Sequence, residues 1–340
     1  MIKEYIEKIT EGNNLTLEES YKVMRNIMSG DVNEHQISGL LMAMKTKGET
    51  PEEVAGFAKA MRDMSVKINS NDPDTIDVCG TGGDGSNTFN ISTAVSFVAA
   101  GAGIRVAKHG NRSISSKSGS ADVLIELGVN INLSSAQSEA ALNEVGIVFL
   151  FAPNYHPAMK YAAPVRKGLG IKTIFNILGP LTNPAGTKKQ LIGVYNSKTA
   201  KLMAEAAFHL DMERVCFVCT SDSYDEISLT GETDVYDYSR QTGIKNYKIS
   251  SVMLDYPEID ITKIKSDSAF NNSQIILSVL RDKVKSEAYY VIAANAALAL
   301  HVAGISESII DCRLAAEEAI LSGKAYNKLN ELKLFGEKCL

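Results

Sequence analysis

The 340-residue sequence is short of cysteine, of surplus positive charge and of long apolar runs, and each shortage removes a class of protein. Five cysteines, at positions 79, 216, 219, 312 and 339, form an odd and scattered set in so long a chain. They argue for reduced thiols and a cytoplasmic setting over a disulfide framework. Lys and Arg total 35 against 40 Asp and Glu, a net charge of −5. Counterion release needs clustered cations, so no nucleic-acid partner is expected. An anionic ligand then has to be held by a local basic patch or by backbone amides. The opening MIKEYIEKIT has no apolar h-region, so no secretory signal is expected. One uncharged stretch, Ala288 to Ile305, reaches spanning length. It contains Asn295, His301 and many alanines, and polar groups at bilayer depth are costly. It reads as a buried globular helix, with no membrane partner. Internal repeats and low-complexity segments are also missing.

The remaining composition is that of a soluble globular protein, 45% hydrophobic and 22% charged, which excludes a disordered tail, a collagen-like rod and a coiled coil. At about 150 residues per domain, the length suggests two domains. The first 65 residues read as helices. Thr16–Leu17–Glu18–Glu19 is a capping box, Asn33–Glu34–His35–Gln36 a looser one, and Thr50–Pro51–Glu52–Glu53 adds a proline at the first helical position. Apolar residues then recur at helical spacing, as in Ile37, Leu40, Leu41 and Met44. The polar run from Asn69 to Asp74 reads as a linker. Beyond it, strands expected at Thr75–Cys79, Ile104–Ala107, Ile147–Phe151, Leu191–Tyr195 and Val215–Thr220 alternate with helices beginning near Ser92, Ser120, Ala136, Lys198, Ser273 and Ser286. The expected fold class is α/β. A small N-terminal all-helical subdomain (1–68, joined by helices from about 155–180) accompanies a large α/β domain (74–340) with a mainly parallel central sheet flanked by helices.

The first strand of the α/β part runs into Cys79–Gly80–Thr81–Gly82–Gly83–Asp84–Gly85–Ser86–Asn87–Thr88. Four glycines in six residues let the backbone turn sharply and bring amides close to a ligand. Such a strand-to-helix turn is a good phosphate cradle, although it matches neither GxGxxG nor GxxxxGK[ST]; the alternative is a tight turn with no ligand. The next strand leads into Lys108–His109–Gly110–Asn111–Arg112 and a serine-rich run ending at Ser120, with four potential cations and five serines in thirteen residues. A solvated basic loop is the bland alternative. Two anion-type loops at neighbouring strand ends would form one crevice, which points to a ligand with several phosphates. After a later strand, Thr220–Ser221–Asp222–Ser223–Tyr224–Asp225–Glu226 offers adjacent carboxylates suited to Mg²⁺. Taken alone, the segment reads more readily as an ordinary acidic turn, and spacing does not choose between Asp222 and Asp225. Cys216 and Cys219 form a CxxC inside a strand, where residues three apart face opposite sides, so core packing accounts for them.

These segments together resemble the anthranilate phosphoribosyltransferase family. The resemblance lies in Asp77–Val78–Cys79–Gly80–Thr81–Gly82–Gly83–Asp84, in Asn90–Ile91–Ser92–Thr93, in Lys108–His109–Gly110–Asn111–Arg112, in the stretch from Thr173 to Ala185, and in Asp225–Glu226–Ile227–Ser228. It spans essentially the whole chain and keeps the family's order and spacing. It implies transfer of a 5-phosphoribosyl group from phosphoribosyl pyrophosphate (PRPP) to the amine of anthranilate in tryptophan biosynthesis, with release of pyrophosphate. It also implies a homodimer associating through the helical subdomain, and Mg²⁺ with two ions per site.

Carried over by position, Gly80, Gly83, Asp84 and Thr88 are expected to hold the pyrophosphate and ribose of PRPP. Asn90, Ile91, Ser92 and Thr93 are expected against the pyrophosphate, with Ser92 also a magnesium ligand. Lys108, His109, Gly110, Asn111, Arg112, Ser113, Ile114, Ser115, Ser116 and Ser120 are expected around the remaining phosphate groups. Asp225 and Glu226 complete the metal set, and the resemblance favours Asp225 over Asp222. Gly80, Asn111 and Arg166 are expected to contact anthranilate, with His109 and His156 nearby; His156 has an equal alternative as a helix-start residue beside Pro157. The fork of Arg166 suits the substrate carboxylate. Lys167–Gly168 and Lys172 depart from the commoner family pattern beside the acceptor site. No Ser-His-Asp or Cys-His set is evident, as expected when no protein nucleophile is needed. Closure about the 69–74 linker is expected to exclude water. The competing classes are a pyrimidine nucleoside phosphorylase, which would carry different phosphate loops, and a non-catalytic nucleic-acid-binding relative, which would carry a basic surface and eroded metal ligands.

Overall fold

The structure, a computed structural model, describes residues 2–112 and 118–339. Four helices open the chain: α1 (Ile2–Thr10), α2 (Leu17–Ser29), α3 (Glu34–Lys47) and α4 (Pro51–Asp63). The three expected capping boxes form, with Thr16, Asn33 and Thr50 accepting the backbone N–H of Glu19, Gln36 and Glu53. Glu53 does more than cap. It is fully buried, and its Oε1 accepts the Leu15 N–H at 2.9 Å while Oε2 takes the Thr50 N–H at 2.9 Å and Lys47 Nζ at 3.0 Å. The box of α4 therefore also fastens the turn between α1 and α2.

The linker is pinned to the α/β part. The Asn69 N–H donates to Glu139 at 2.7 Å, Asp72 pairs with Arg105 at 3.4 Å, and Asp74 with Lys189 at 2.6 Å. Seven strands then make one sheet: β1 (Ile76–Gly80), β2 (Val106–Gly110), β3 (Ile147–Phe151), β4 (Lys189–Gly193), β5 (Arg214–Thr220), β6 (Thr233–Ser239) and β7 (Gly243–Ile249). Their order is β3-β2-β1-β4-β5-β6-β7, with the first five parallel and the last two antiparallel. Between strands run α5 (Ile91–Gly101), α6 (Ser120–Glu126), α7 (Ser135–Glu144), α8 (Ala152–Tyr155), α9 (Ala163–Leu169), α10 (Phe175–Leu178) and α11 (Ser197–Ala207). Four helices follow the sheet: α12 (Ala269–Leu280), α13 (Glu287–Ala303), α14 (Ile309–Leu321) and α15 (Lys324–Lys338).

Alternation along the central strands divides the interior into two layers. Val78, Leu191, Cys216 and Val218 face a core shared with α5, α6, α7 and the four C-terminal helices. Cys79, Ile192, Val215 and Phe217 face the other core, made with α1–α4, α9–α11 and Met212. The helical unit is thus seated directly on the sheet. Arg62 of α4 crosses into it, donating from Nε to the Leu181 carbonyl at 2.5 Å beside Met212, and burial pulls its guanidinium down to about 10. The uncharged stretch of the sequence forms α13, buried along almost its whole length. Among the described residues, no helix is long and apolar enough to cross a membrane.

Candidate active site

Strand β1 is followed by β2 and β3 on one side and by β4 and β5 on the other, so the order in which strands are added reverses between the parallel neighbours β1 and β4. Ligands of open α/β sheets collect outside the carboxyl ends of the strands at such a switch point. Here Gly80 and Gly193 pair across those ends. The glycine-rich turn leaves β1 with Gly82 and Gly83 at φ of 63° and 74°, backbone angles that favour glycine. The Thr81 N–H donates to the Gly193 carbonyl at 2.9 Å, and the Gly82 N–H donates to Asp225 Oδ2 at 3.0 Å.

Asp225 follows β5 and is buried, and Glu226 beside it is half-buried. Carboxylate oxygens of Asp84, Asp225 and Glu226 lie within 4.8 Å of one another. Asp84 Oδ2 is buried with no hydrogen-bond partner. Burial and mutual repulsion push the Asp225 carboxyl up to about 7 and Glu226 well above the carboxylate range. Three hard oxygen donors around an unrelieved negative charge fit a magnesium ion. Asp222, the other candidate, lies elsewhere: it accepts the Ser197 N–H at 2.7 Å, at the start of α11. Ser92 lines the same small cavity as the acidic pair, beneath the glycine turn, and its Oγ accepts from Lys108 Nζ at 3.1 Å.

Beyond the pair Ile76–Val106, β1 and β2 part, and side chains take over the bonds of the ladder. Asp77 Oδ1 accepts the His109 N–H at 3.1 Å, Lys108 Nζ donates to the Val78 carbonyl at 2.6 Å, and Asn183 Nδ2 donates to the Ala107 carbonyl at 2.7 Å. Lys108 is 3% exposed, so its ammonium sits under the site between β1 and α5. Burial lowers the Lys108 ammonium and raises the Asp77 carboxyl. Gln190 steadies Asp77 from β4 at 3.2 Å.

His109 and His156 are buried with ring centroids 5.2 Å apart. Backbone hydrogen bonds to Gly179 and Thr182 hold them, and the Nε2 atom of each has no partner. Burial pulls His109 down to about 3 and His156 to about 4, so both rings are neutral at pH 7 and each Nε2 is an open acceptor.

The described ends of the basic loop are tied to neighbouring groups. Exposed Arg112 pairs with Asp122 of α6 at 3.2 Å, Asn111 Oδ1 accepts the Arg112 N–H at 2.7 Å, and Ser120 Oγ donates to the Asn111 carbonyl at 3.3 Å. Gly110 ends β2 against the Ser120 hydroxyl and the Phe149 ring. Ser113, Ile114, Ser115 and Ser116 lie outside the described residues. Thr88 bridges to Lys265, and Asn90 opens α5 with its Oδ1 accepting the Thr93 hydroxyl at 2.5 Å; Ile91 and Thr93 are buried. Arg166, on α9, stacks over the Phe175 ring at 5.2 Å, and burial lowers its guanidinium. Lys172 lies against Gly83, with Nζ 3.8 Å from the Tyr195 ring centroid. Sequence reasoning names Asp84 only for PRPP, includes Asn183 only within the Thr173–Ala185 stretch and without a role, and misses Gly193 and Gln190, which carry no local signal; an acidic residue inside a glycine turn is the one clue available for Asp84.

A helical bundle seated on an α/β domain, with a glycine turn and an acidic cluster at the sheet's switch point, is the arrangement of a class of glycosyl transferases. The glycosyl transferase family helical bundle domain matches residues 3–65, and the glycosyl transferase family a/b domain matches residues 72–326. The chain belongs to the anthranilate phosphoribosyltransferase family. It is 43% identical to the anthranilate phosphoribosyltransferase of Salinibacter ruber, over 96% of each chain. The crystal structure of the enzyme from Thermus thermophilus superposes with a TM-score of 0.92 at 36% identity, covering 98% of this chain and 99% of that one. The Saccharomyces cerevisiae enzyme in complex with PRPP and Mg superposes with a TM-score of 0.90 at 28% identity, covering 99% and 98%.

Proposed function

We propose that this protein transfers the 5-phosphoribosyl group of PRPP to the amine of anthranilate, giving N-(5-phosphoribosyl)anthranilate and pyrophosphate, in tryptophan biosynthesis. The observation that carries the reading is the Asp84–Asp225–Glu226 cluster joined to the glycine turn through the Gly82 amide. It is a metal-and-pyrophosphate site at the switch point of the sheet.

In this reading Gly80, Gly83, Asp84 and Thr88 hold the ribose and pyrophosphate, and Asn90 to Thr93 close over the pyrophosphate from the start of α5. Lys108, through Ser92, and the loop from His109 to Ser120 balance the remaining phosphate charge. Asp84, Asp225, Glu226 and Ser92 would hold two magnesium ions, which when bound stabilise negative charge on the departing pyrophosphate. The half-buried guanidinium of Arg166 pairs with the anthranilate carboxylate. The neutral rings of His109 and His156 present Nε2 acceptors that suit the anthranilate amine, whose N–H groups are donors. Asn111 and Gly80 complete the acceptor site. Fixing that amine near the anomeric carbon removes roughly 7–11 kcal/mol of barrier, and no protein nucleophile is required.

In this reading residues 74–340 bind PRPP, while the helical unit 1–68, with the helices of 155–180, carries the acceptor. Self-association through the helical unit gives the homodimer, as the family resemblance implies. Five free cysteines, four of them buried, support a reducing cytoplasm.

The test is the fluorescence of anthranilate incubated with the purified protein and PRPP, with and without Mg²⁺. A magnesium-dependent decay that requires both substrates is expected. A flat trace from folded protein overturns the reading, and phosphorolysis of nucleosides is then assayed, followed by nucleic-acid binding.

A further inference from the structure

The glycine-rich turn and the basic loop leave different strands, yet one buried side chain on α12 grips both. Asn272 is 2% exposed. Its Oδ1 accepts the Asn90 N–H at 2.6 Å, where α5 begins, and its Nδ2 donates to Ser118 Oγ at 3.0 Å. Nδ2 also lies within hydrogen-bond distance of Ser266 Oγ at 2.9 Å and the Ser268 carbonyl at 2.8 Å. Asn90 and Ser118 are 182 and 154 residues away in the chain. An asparagine needed only for α12 would be satisfied by Ser268, one helical turn back; three of its four contacts leave the helix.

The residues before α12 reinforce this grip. The Phe89 N–H donates to the Ile264 carbonyl at 2.8 Å, and the Ser266 N–H donates to the Asn87 carbonyl at 2.8 Å. Between them Thr88 and Lys265 form an antiparallel bridge. Residues 264–272 therefore act as a short third partner of the glycine turn, ending in an amide that reaches across to the basic loop. A buried amide with both ends satisfied fixes geometry strongly, because moving either partner leaves a polar group unpaired.

We propose that Asn272 is a positioning residue for PRPP, holding the Asn90–Thr93 turn and the Ser118–Ser120 end of the basic loop at one separation so that two anion-binding loops work as one cradle. This rests on the reading of PRPP as donor. Asn272 need not touch substrate; it acts through Asn90 and Ser118.

The test compares wild type, Asn272→Ala and Asn272→Asp. PRPP binding with Mg²⁺ is measured by calorimetry without anthranilate, alongside KM for each substrate and thermal unfolding of the unliganded proteins. Asn272→Ala is expected to raise the Kd and KM for PRPP at least tenfold while the KM for anthranilate stays within twofold. Asn272→Asp keeps an acceptor for the Asn90 N–H but loses the donors to Ser118 and the Ser268 carbonyl and adds a buried negative charge beside both loops, so its PRPP affinity also falls at least tenfold; it carries the comparison if the alanine variant fails to fold. PRPP affinity unchanged in a folded variant, or equal losses for both substrates, overturns the proposal. Wild-type protein that does not bind PRPP overturns the donor reading itself.

Discussion

A methyl group on Gly193 would fall 1.6 Å from the carbonyl oxygen of Asp225, so the last residue of β4 and the first of the acidic pair are in backbone contact. Nothing but hydrogen fits there. Gly193→Ala has to push the 225–226 segment away from the glycine turn, and a displacement of about 1 Å at a reacting centre costs on the order of a hundredfold in rate. Steady-state kinetics with a magnesium titration should show that loss together with a higher magnesium requirement. Normal kinetics would mean that the acidic segment tolerates displacement.

Arg166→Ala removes a guanidinium whose described neighbour is the Phe175 ring. Hydrogen bonds to charged groups contribute about 1.5–3 kcal/mol, so the KM for anthranilate should rise roughly 10- to 100-fold. The KM for PRPP should change less than about threefold, since the donor loops lie on other elements. Equal losses for both substrates would remove Arg166 from the acceptor site.

Burial and mutual repulsion push the Asp225 carboxyl up to about 7 and raise Glu226 as well, so protons and Mg²⁺ compete for the pair. Below pH 7 the half-saturating Mg²⁺ concentration should climb by about tenfold per pH unit for each proton displaced. Asp225→Asn with Glu226→Gln should flatten that dependence and weaken metal binding at pH 8. A magnesium titration identical to wild type would take the pair out of the metal site.

His109 and His156 set the opposite slope for stability. Their folded values of about 3 and 4 lie below the ordinary value of 6.5. Above pH 6.5 neither ring makes stability depend on pH; as pH falls, the unfolded chain takes up protons that the folded one refuses. Each ring should cost at most about 2 kcal/mol at pH 5. The raised carboxyl of Asp225 works the other way, adding stability as pH falls from 7 toward 4. Denaturant unfolding of His156→Gln against wild type at pH 5 and 7.5 isolates the histidine contribution, and the variant's relative stability should rise at the lower pH.

Local signals make much of the fold legible in the sequence. Capping boxes at Thr16, Asn33 and Thr50 place three helices, and β3 occurs over Ile147–Phe151 as expected. Strands β1 and β2 run on to Gly80 and Gly110, one and three residues past their expected ends, because a glycine extends a strand that hydrophobicity alone would end, whereas β4 lies two residues earlier than expected and β5 starts one residue earlier. Helix α12 begins four residues before the expected Ser273, since Ser268 caps it by accepting the Asn271 N–H. The β6–β7 hairpin has no clear sequence signal: its strands mix Asp, Lys and Asn with tyrosines, and only partner strands give that pattern a buried side. At the site, residue types and order are legible, whereas the pairing of Arg112 with Asp122 and the burial of Lys108 depend on contacts between distant segments.

The apolar layer that joins α1–α4 to α11, β4 and β5 ties the folding of the helical unit to that of the sheet. Neither matched region owns a complete interior on that side, so the helical unit would expose the apolar face that it shares with α11, β4 and β5 when the sheet comes apart. The chain should therefore melt in one cooperative calorimetric transition. Cutting the backbone within 69–74 should leave the two fragments associated. For the same reason, a helical unit grafted from a relative would bring half of an interface with it, and Ile192, Met203, Met212 and Phe217 would have to change along with it.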